Sequence, residues 1–245
     1  MKRLLDLSVA LFGLILLSPL LVIVMLLVWN QDRHSPIYWA KRVGKNGRVF
    51  YMVKLRSMVV NADQTGVDST SASDMRITPI GRLIRRYKLD EMTQLWNVLV
   101  GDMSLVGPRP NVERETKLYS TEEQKLLSVL PGITDFASVV FSDEGEILRD
   151  KIDPDLAYHQ LIRPGKSALG LFYVENRSLL VDIELIFYTC VSIGSRATAL
   201  SLLCKLLERL NCPDDLRTLS TRANPLIPSA PPGLKNVVES RDVVL

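Results

Sequence analysis

The stretch from Leu7 to Val28 restricts this chain more than any other, because it is apolar throughout apart from Ser8 and Ser18. A straight helix of that length would be about 33 Å long, enough to cross a hydrocarbon core. Two features argue for a different path. Pro19 stands near the middle, where it removes one N–H and its ring meets the carbonyl four residues back, that of Ile15, so a bend is predicted there. Ser18 could offer its hydroxyl to a carbonyl freed by that break. Basic residues also stand on both flanks: Lys2 and Arg3 before the run, then Arg33, Lys41, Arg42, Lys45 and Arg48 after it. The positive-inside tendency places both ends on the cytoplasmic side. A bent helix that enters one leaflet and returns, each half about 16 Å long, satisfies both features. A kinked helix that spans stays open on the residues alone, because membrane helices tolerate proline. No small-x-small cleavage site follows the run, which argues against a removed signal peptide.

Beyond that run, 245 residues with 47% hydrophobic content allow one substantial domain with appendages. The net charge of +3 is too weak to argue for nucleic acid and is compatible with a surface lying against anionic lipid. Cys190, Cys204 and Cys212 are odd in number and lack CxxC spacing, so they read as reduced intracellular thiols rather than a disulfide framework or zinc site. His34 and His159 are isolated, which argues against a His-dependent triad.

The chemistry concentrates between Arg85 and Pro110, RRYKLDEMTQLWNVLVGDMSLVGPRP. Apolar Met92, Leu95, Trp96, Leu99 and Val100 recur at helical spacing, and Asp90 just before them is placed as an N-cap, held ionised by backbone N–H groups and the helix dipole. A fixed, ionised carboxylate is a competent nucleophile toward phosphorus. Glu91 beside it is a hard oxygen ligand of the kind Mg²⁺ accepts along with substrate phosphates. Taken alone, Asp-Glu at a helix start is most often a cap and a dipole-complementing charge. Farther on, Pro108 and Pro110 stiffen the backbone on either side of Arg109, making it a preorganised phosphate fork.

These residues resemble the bacterial monotopic phosphoglycosyl transferases, the sugar transferases that begin glycan assembly on polyprenol phosphate. The resemblance rests on Leu89-Asp90-Glu91, Gln94-Leu95, Asn97 and the run Gly101 to Pro110. It extends to Lys54-Leu55-Arg56-Ser57-Met58, Pro131-Gly132-Ile133-Thr134 and Tyr173 to Leu179 with Asp182, and so covers roughly residues 1–190. It favours the re-entrant path, with the helix broken at Ser18-Pro19. It implies Asp90 as catalytic nucleophile, Mg²⁺ on Asp90 and Glu91, and substrate contacts from Lys54, Arg56, Arg85, Arg109 and Asp182. It implies a UDP-sugar, polyprenol phosphate and membrane lipid as partners, no nucleic acid, and either a second copy or downstream glycosyltransferases as protein partners. The place implied is the cytoplasmic face of a bacterial inner membrane. Two departures stand out: Thr93 replaces a common proline, and Asp135 replaces a common glycine, so sugar specificity cannot be carried over.

The expected fold is α+β and mainly helical. Residues 1–34 form the membrane helix, 35–190 the catalytic domain, 191–211 an amphipathic helix and 212–245 a disordered tail. Pro36 to Met58 alternates around Gly44 and Gly47 as a short hairpin. Asn61 to Thr78 reads as a mobile loop near the nucleotide-sugar entrance, and Pro79 to Tyr87 as a helix that folds Arg85 back toward Asp90. Asn111 to Leu130 reads as surface helix, Phe136 to Phe141 as strand, Asp153 to Leu161 as helix, and Leu179 to Tyr188 as an interfacial amphipathic helix. Outside enzymes, the alternative is a membrane-anchored scaffold that binds a partner.

Overall fold

A computed structural model describes residues 1–240. Helix α1, Lys2–Asp32, runs without interruption through Pro19. The hydrogen-bonded helix is thus continuous across Ser18-Pro19, with the proline inside it. The proline deprives Ile15 of its helical donor, and the Ser18 hydroxyl donates to that carbonyl at 2.8 Å instead. Ala10, Leu21, Val24 and Val28 are buried against the rest of the chain, while Phe12, Ile15, Leu16, Ile23 and Leu26 are exposed.

Both ends of α1 are tied to the same folded body. At the start, Lys2 Nζ lies 2.5 Å from Asp182 and donates to Val106 O at 3.1 Å, and Arg3 donates to Val98 O and Leu99 O at 2.6 and 3.0 Å. Asp6 is buried and accepts from Ser104 Oγ and Leu105 N at 2.9 and 3.1 Å. At the far end, Asp32 accepts both arms of the Arg56 guanidinium at 2.5 and 2.6 Å.

The hairpin forms as expected, β1 Ile37–Val43 antiparallel to β2 Val49–Leu55, with Lys54 opposite Tyr38. The loop from Asn61 to Thr78 is not left loose. Arg76 organises it, donating to Asp74, Ala62 O, Thr65 Oγ1 and Val67 O, while Asp155 accepts from Ser69 N. Helix α2, Pro79–Arg86, starts on a Thr78 cap. Lys88 then takes φ 52°, turning the chain so that α3, Leu89–Met92, begins at Leu89. Asp90 is thus inside the first turn rather than at the cap. Thr93 and Gln94 keep right-handed backbone with tighter bonding, and α4, Leu95–Val100, continues to a left-handed Gly101.

Strand β3, Ser104–Val106, is followed by α5, Glu113–Thr116, and a 3-10 turn at Glu123–Ser128, so the segment expected as surface helix is helical only in short pieces. Strand β4, Gly132–Thr134, pairs parallel to β3. Phe136–Val140, expected as strand, is helix α6, because the Asp135 carboxylate caps it by accepting from Ser138 N at 2.7 Å. Its β-branched residues suited either state, and the cap decided.

Helix α7 is Glu144–Ile147, and α8, Pro154–Ala157, leads through a π-turn into α9, Arg163–Asn176. Helices α10, Leu179–Gly194, and α11, Arg196–Arg209, pack together, with Leu180, Ile183 and Phe187 of α10 exposed. The expected disordered tail instead carries α12, Asp214–Thr221, and then an extended segment held to the body. There Ser229 N donates to Gln160 O, Ser120 Oγ to Pro232 O and Gln160 Nε2 to Val238 O, while Val238 is buried and Leu226 packs against the core, so polar partners and apolar contacts together fix it. Residues 241–245 of that tail lie outside the described residues. Among the described residues helices predominate, and the named strands form two two-stranded sheets.

Candidate active site

The α3–α4 segment lies along the free edge of β2 and supplies the hydrogen bonds a further strand would give. Thr93 Oγ1 donates to Val53 O at 3.0 Å, Asn97 Nδ2 donates to Tyr51 O at 2.8 Å, and Val53 N donates to Asn97 Oδ1 at 2.8 Å. These clamps fix Tyr51 and Val53, the latter immediately before Lys54. Its ammonium stands 3.6 Å from Asp90 Oδ2. Burial pulls the Lys54 pKa below the usual lysine range, with Asp90 opposing and Arg109 reinforcing the shift.

Arg109 comes from the other side. Its Nη2 lies 2.8 Å from Glu91 Oε1, and this carboxylate holds the guanidinium's pKa above its ordinary value. Burial alone would push Glu91 up, but Arg109, Lys88 and Lys54 outweigh it and keep its carboxyl below the usual range. The consecutive acids thus answer to different cations, Asp90 to the hairpin and Glu91 to the Gly-Pro-Arg-Pro segment. That segment is placed by β3 beside β4, where Gly107 and Gly132 meet backbone to backbone: a Cβ on Gly132 would stand 2.1 Å from Gly107 N.

Arg85 has no carboxylate within ion-pair distance among the described residues. Its Nε donates to Ser57 Oγ at 3.0 Å, and Asp90 is the first of the acids that act on it. Gly81 lets α2 lie directly on the Ser57 backbone, since a Cβ there would come 1.8 Å from Ser57 O. The structure therefore brings together Lys54, Arg85, Asp90, Glu91 and Arg109.

Two expected site residues stand elsewhere. Arg56 is consumed by Asp32 and by Ser35 O at 2.7 Å, closing β2 onto the end of α1. It stands just past the end of β2, and its bidentate pairing with Asp32 leaves it no free fork. Asp182 is buried and accepts from Lys2 and from Tyr173 OH at 2.6 Å, while Tyr173 also donates to Val106 O at 3.1 Å. It steadies the strand that leads into Gly107-Pro108-Arg109. Asp6 and Asp32 escaped the sequence reading, and Lys2 and Tyr173 entered it without a structural role, because their partners lie far away in the chain. Lys88 carried a local signal, a charge next to Leu-Asp-Glu.

Asp90 and Glu91 offer two ionisable carboxylates with Glu91 held in the charged form, a donor set that suits Mg²⁺ when substrate phosphates and water complete its shell. Among the described residues no group of three or more His, Cys, Asp or Glu forms an all-protein metal cage.

The profile of the family described as "Bacterial sugar transferase" matches residues 1–196. The exopolysaccharide production protein ExoY of Sinorhizobium fredii is 35% identical over 213 residues, covering 79% of this chain and 87% of that protein. The UDP-N-acetylgalactosamine-undecaprenyl-phosphate N-acetylgalactosaminephosphotransferase of Aeromonas hydrophila is 33% identical over 197 residues, 77% of this chain and 42% of that one. The undecaprenyl-phosphate glucose phosphotransferase of Komagataeibacter xylinus is 36% identical over 195 residues, 77% of this chain and 35% of that one. This chain thus spans less than half the length of the latter two. A family match from the first residue through the end of α10, enclosing every residue of the paired-carboxylate site, means that the chain belongs to the bacterial sugar transferase family.

Proposed function

We propose that the chain transfers a phosphosugar from a UDP-sugar to polyprenol phosphate at a membrane surface, the first membrane step of a bacterial polysaccharide or glycan. The observation that carries the reading is the separate pairing of the two adjacent acids, Asp90 with Lys54 at 3.6 Å and Glu91 with Arg109 at 2.8 Å, with Arg85 uncommitted beside them. The names of relatives from Aeromonas hydrophila and Komagataeibacter xylinus, both undecaprenyl-phosphate phosphotransferases, supply the acceptor class.

In the first displacement an Asp90 carboxylate oxygen attacks the β-phosphorus of the UDP-sugar. The bond from that phosphorus to the bridging oxygen breaks, and UMP leaves with that oxygen. In the second, an oxygen of polyprenol phosphate attacks the same phosphorus, the Asp90–phosphorus bond breaks, and polyprenol diphosphate-sugar is formed. Lys54 and Arg109, drawn off their carboxylates toward phosphate oxygens, offset the charge that spreads over the transferred group. Arg85, fixed by Ser57, presents the planar fork suited to a phosphate. Mg²⁺ held by Asp90 and Glu91 would supply further charge neutralisation on the diphosphate.

A lipid acceptor needs the site at the membrane plane, and α1 suits that need. It is long and apolar enough to cross a bilayer. At about 46 Å, however, it has both ends bound to one body, through Lys2, Arg3 and Asp6 at one and Asp32 at the other. A spanning helix would leave one of those clamps across the bilayer, with its buried charges unpaired. We therefore assign α1 a monotopic position, both ends on the cytoplasmic side and its exposed face in one leaflet of the inner membrane.

Two measurements test the reading. Purified chain with Mg²⁺ and polyprenol phosphate is expected to release UMP from one member of a panel of UDP-sugars; silence across the panel would favour a membrane-anchored scaffold. Single cysteines placed at Met1 and at His34 in a chain lacking its native cysteines are both expected to react with an impermeant reagent from the cytoplasmic side only. Labelling of one of the pair from the outside would overturn the monotopic placement.

A further inference from the structure

In the sequence Arg42 is one of several basic residues flanking the apolar run; in the fold it belongs to the wall of the site. The register of the hairpin puts Tyr38, Ala40 and Arg42 on the same face as Lys54, Met52 and Phe50. The end of β1 runs beside the segment that carries Arg109, with Val43 donating its N–H to Asn111 O at 2.9 Å. Arg42 therefore shares a face with Lys54 and a border with Arg109.

Its guanidinium has little to hold it there. Nη1 donates to the neighbouring Lys41 O at 2.8 Å, and among the described residues no carboxylate pairs with it. Asp68, the carboxylate that acts on it, is taken by Arg114 at 2.5 Å. Burial pulls the Arg42 pKa down, Tyr38 opposes that, and repulsion from Arg109 adds to it. Arg42 in turn repels Lys54. A partly buried cation that feels two like charges and has no anion of the protein's own is destabilising, unless an anion occupies the spot for part of the working cycle.

We infer that Arg42 binds the nucleotide-side phosphate of the donor, the one that leaves as UMP. Lys54 and Arg109 stand at the carboxylates, so the phosphorus under attack belongs with them. Arg42 contacts neither acid and serves the phosphate that is not attacked. The inference rests on the transferase reading and adds a donor-recognition residue to it.

Kinetics of Arg42→Met test it, because UMP carries only the phosphate in question. The variant is expected to raise the KM for the UDP-sugar and the inhibition constant of UMP by a common factor, about 10- to 100-fold for loss of a charged hydrogen bond. The KM for polyprenol phosphate should not move, and the thermal midpoint should hold or rise, because the substitution removes an unpaired buried cation. Arg42→Lys should recover part of the loss, keeping the charge without the fork. A raised KM for polyprenol phosphate with an unchanged UMP constant would assign Arg42 to the lipid phosphate and overturn the inference. So would a lowered thermal midpoint with every constant changed, or no change at all. Silence of the native chain on every UDP-sugar would instead bring down the transferase reading itself, and this inference with it.

Discussion

Asp90→Asn is expected to lower UMP release by about a thousandfold or more, the scale of losing a nucleophile on which the whole reaction depends. The substitution is nearly isosteric, and the local fold does not lean on the side chain it changes. Thr93 holds this turn through the Asp90 carbonyl, at 3.1 Å, and through Val53 O. Lys54 loses its partner at 3.6 Å, but the strand that carries it stays tied to this segment through the Thr93 and Asn97 bonds to Val53 and Tyr51. The thermal midpoint should therefore stay close to native while activity disappears. The decisive form of the experiment omits the lipid. Native chain given only UDP-sugar and Mg²⁺ should release up to about one UMP per site in a burst, because the phosphosugar stays on Asp90. The variant should show none. Turnover with lipid present but no burst without it would point to direct attack by the lipid phosphate, leaving Asp90 a binding role.

The reading of the residues and the fold agree where local pattern decides. The hairpin was legible from alternation around Gly44 and Gly47, and α2 from the spacing of Ile80, Leu83, Ile84 and Tyr87, since both periods are written within a few residues of where they act. The carboxylate pair and Arg109 were legible from their motif, and the fold brings them together. What the chain did not disclose were matters decided at long range. Arg56 stands two residues from Lys54, and only the placement of Asp32 shows that its fork is spent. Asp182 and Lys2 meet across most of the sequence. Phe136 to Val140 could have been strand or helix until Asp135 capped it. The proline-rich tail looked unable to bury enough apolar surface to stay ordered, yet Val238 and Leu226 find cover on the body and Gln160 and Ser120 bond its backbone, contacts that composition cannot show. At Pro19 the Ser18 hydroxyl takes the Ile15 carbonyl the proline leaves free, as the residue pair suggested.

Gly132→Ala should do more damage to the fold than any charge substitution at the site. In the native chain Gly132 N donates to Pro108 O at 3.0 Å and Gly107 N donates to Thr134 O at 2.9 Å, so the two glycines pack backbone against backbone. A methyl group at position 132 would stand 2.1 Å from Gly107 N and 2.5 Å from Gly107 O, and neither of those atoms belongs to a side chain that could swing away. The strands must part. Overpacking in a yielding core costs about 1–3 kcal/mol, and a rigid backbone clash belongs at or above the top of that range. The consequence reaches the site by a short route, because β3 runs straight into Gly107-Pro108-Arg109 and Arg109 draws on Ile133 O as well as Glu91. Thermal unfolding in detergent is expected to fall by several degrees or to lose its cooperative transition, and the fraction that remains folded should release UMP poorly because its arginine is displaced. Ser104→Ala, which removes the hydroxyl contact to Asp6 while leaving the strand spacing intact, should be much milder on both readouts. A Gly132→Ala chain with native midpoint and native UMP release would mean that the β3–β4 contact does not set the position of Arg109, and that the Pro108–Arg109–Pro110 segment is held by its own stiffness alone.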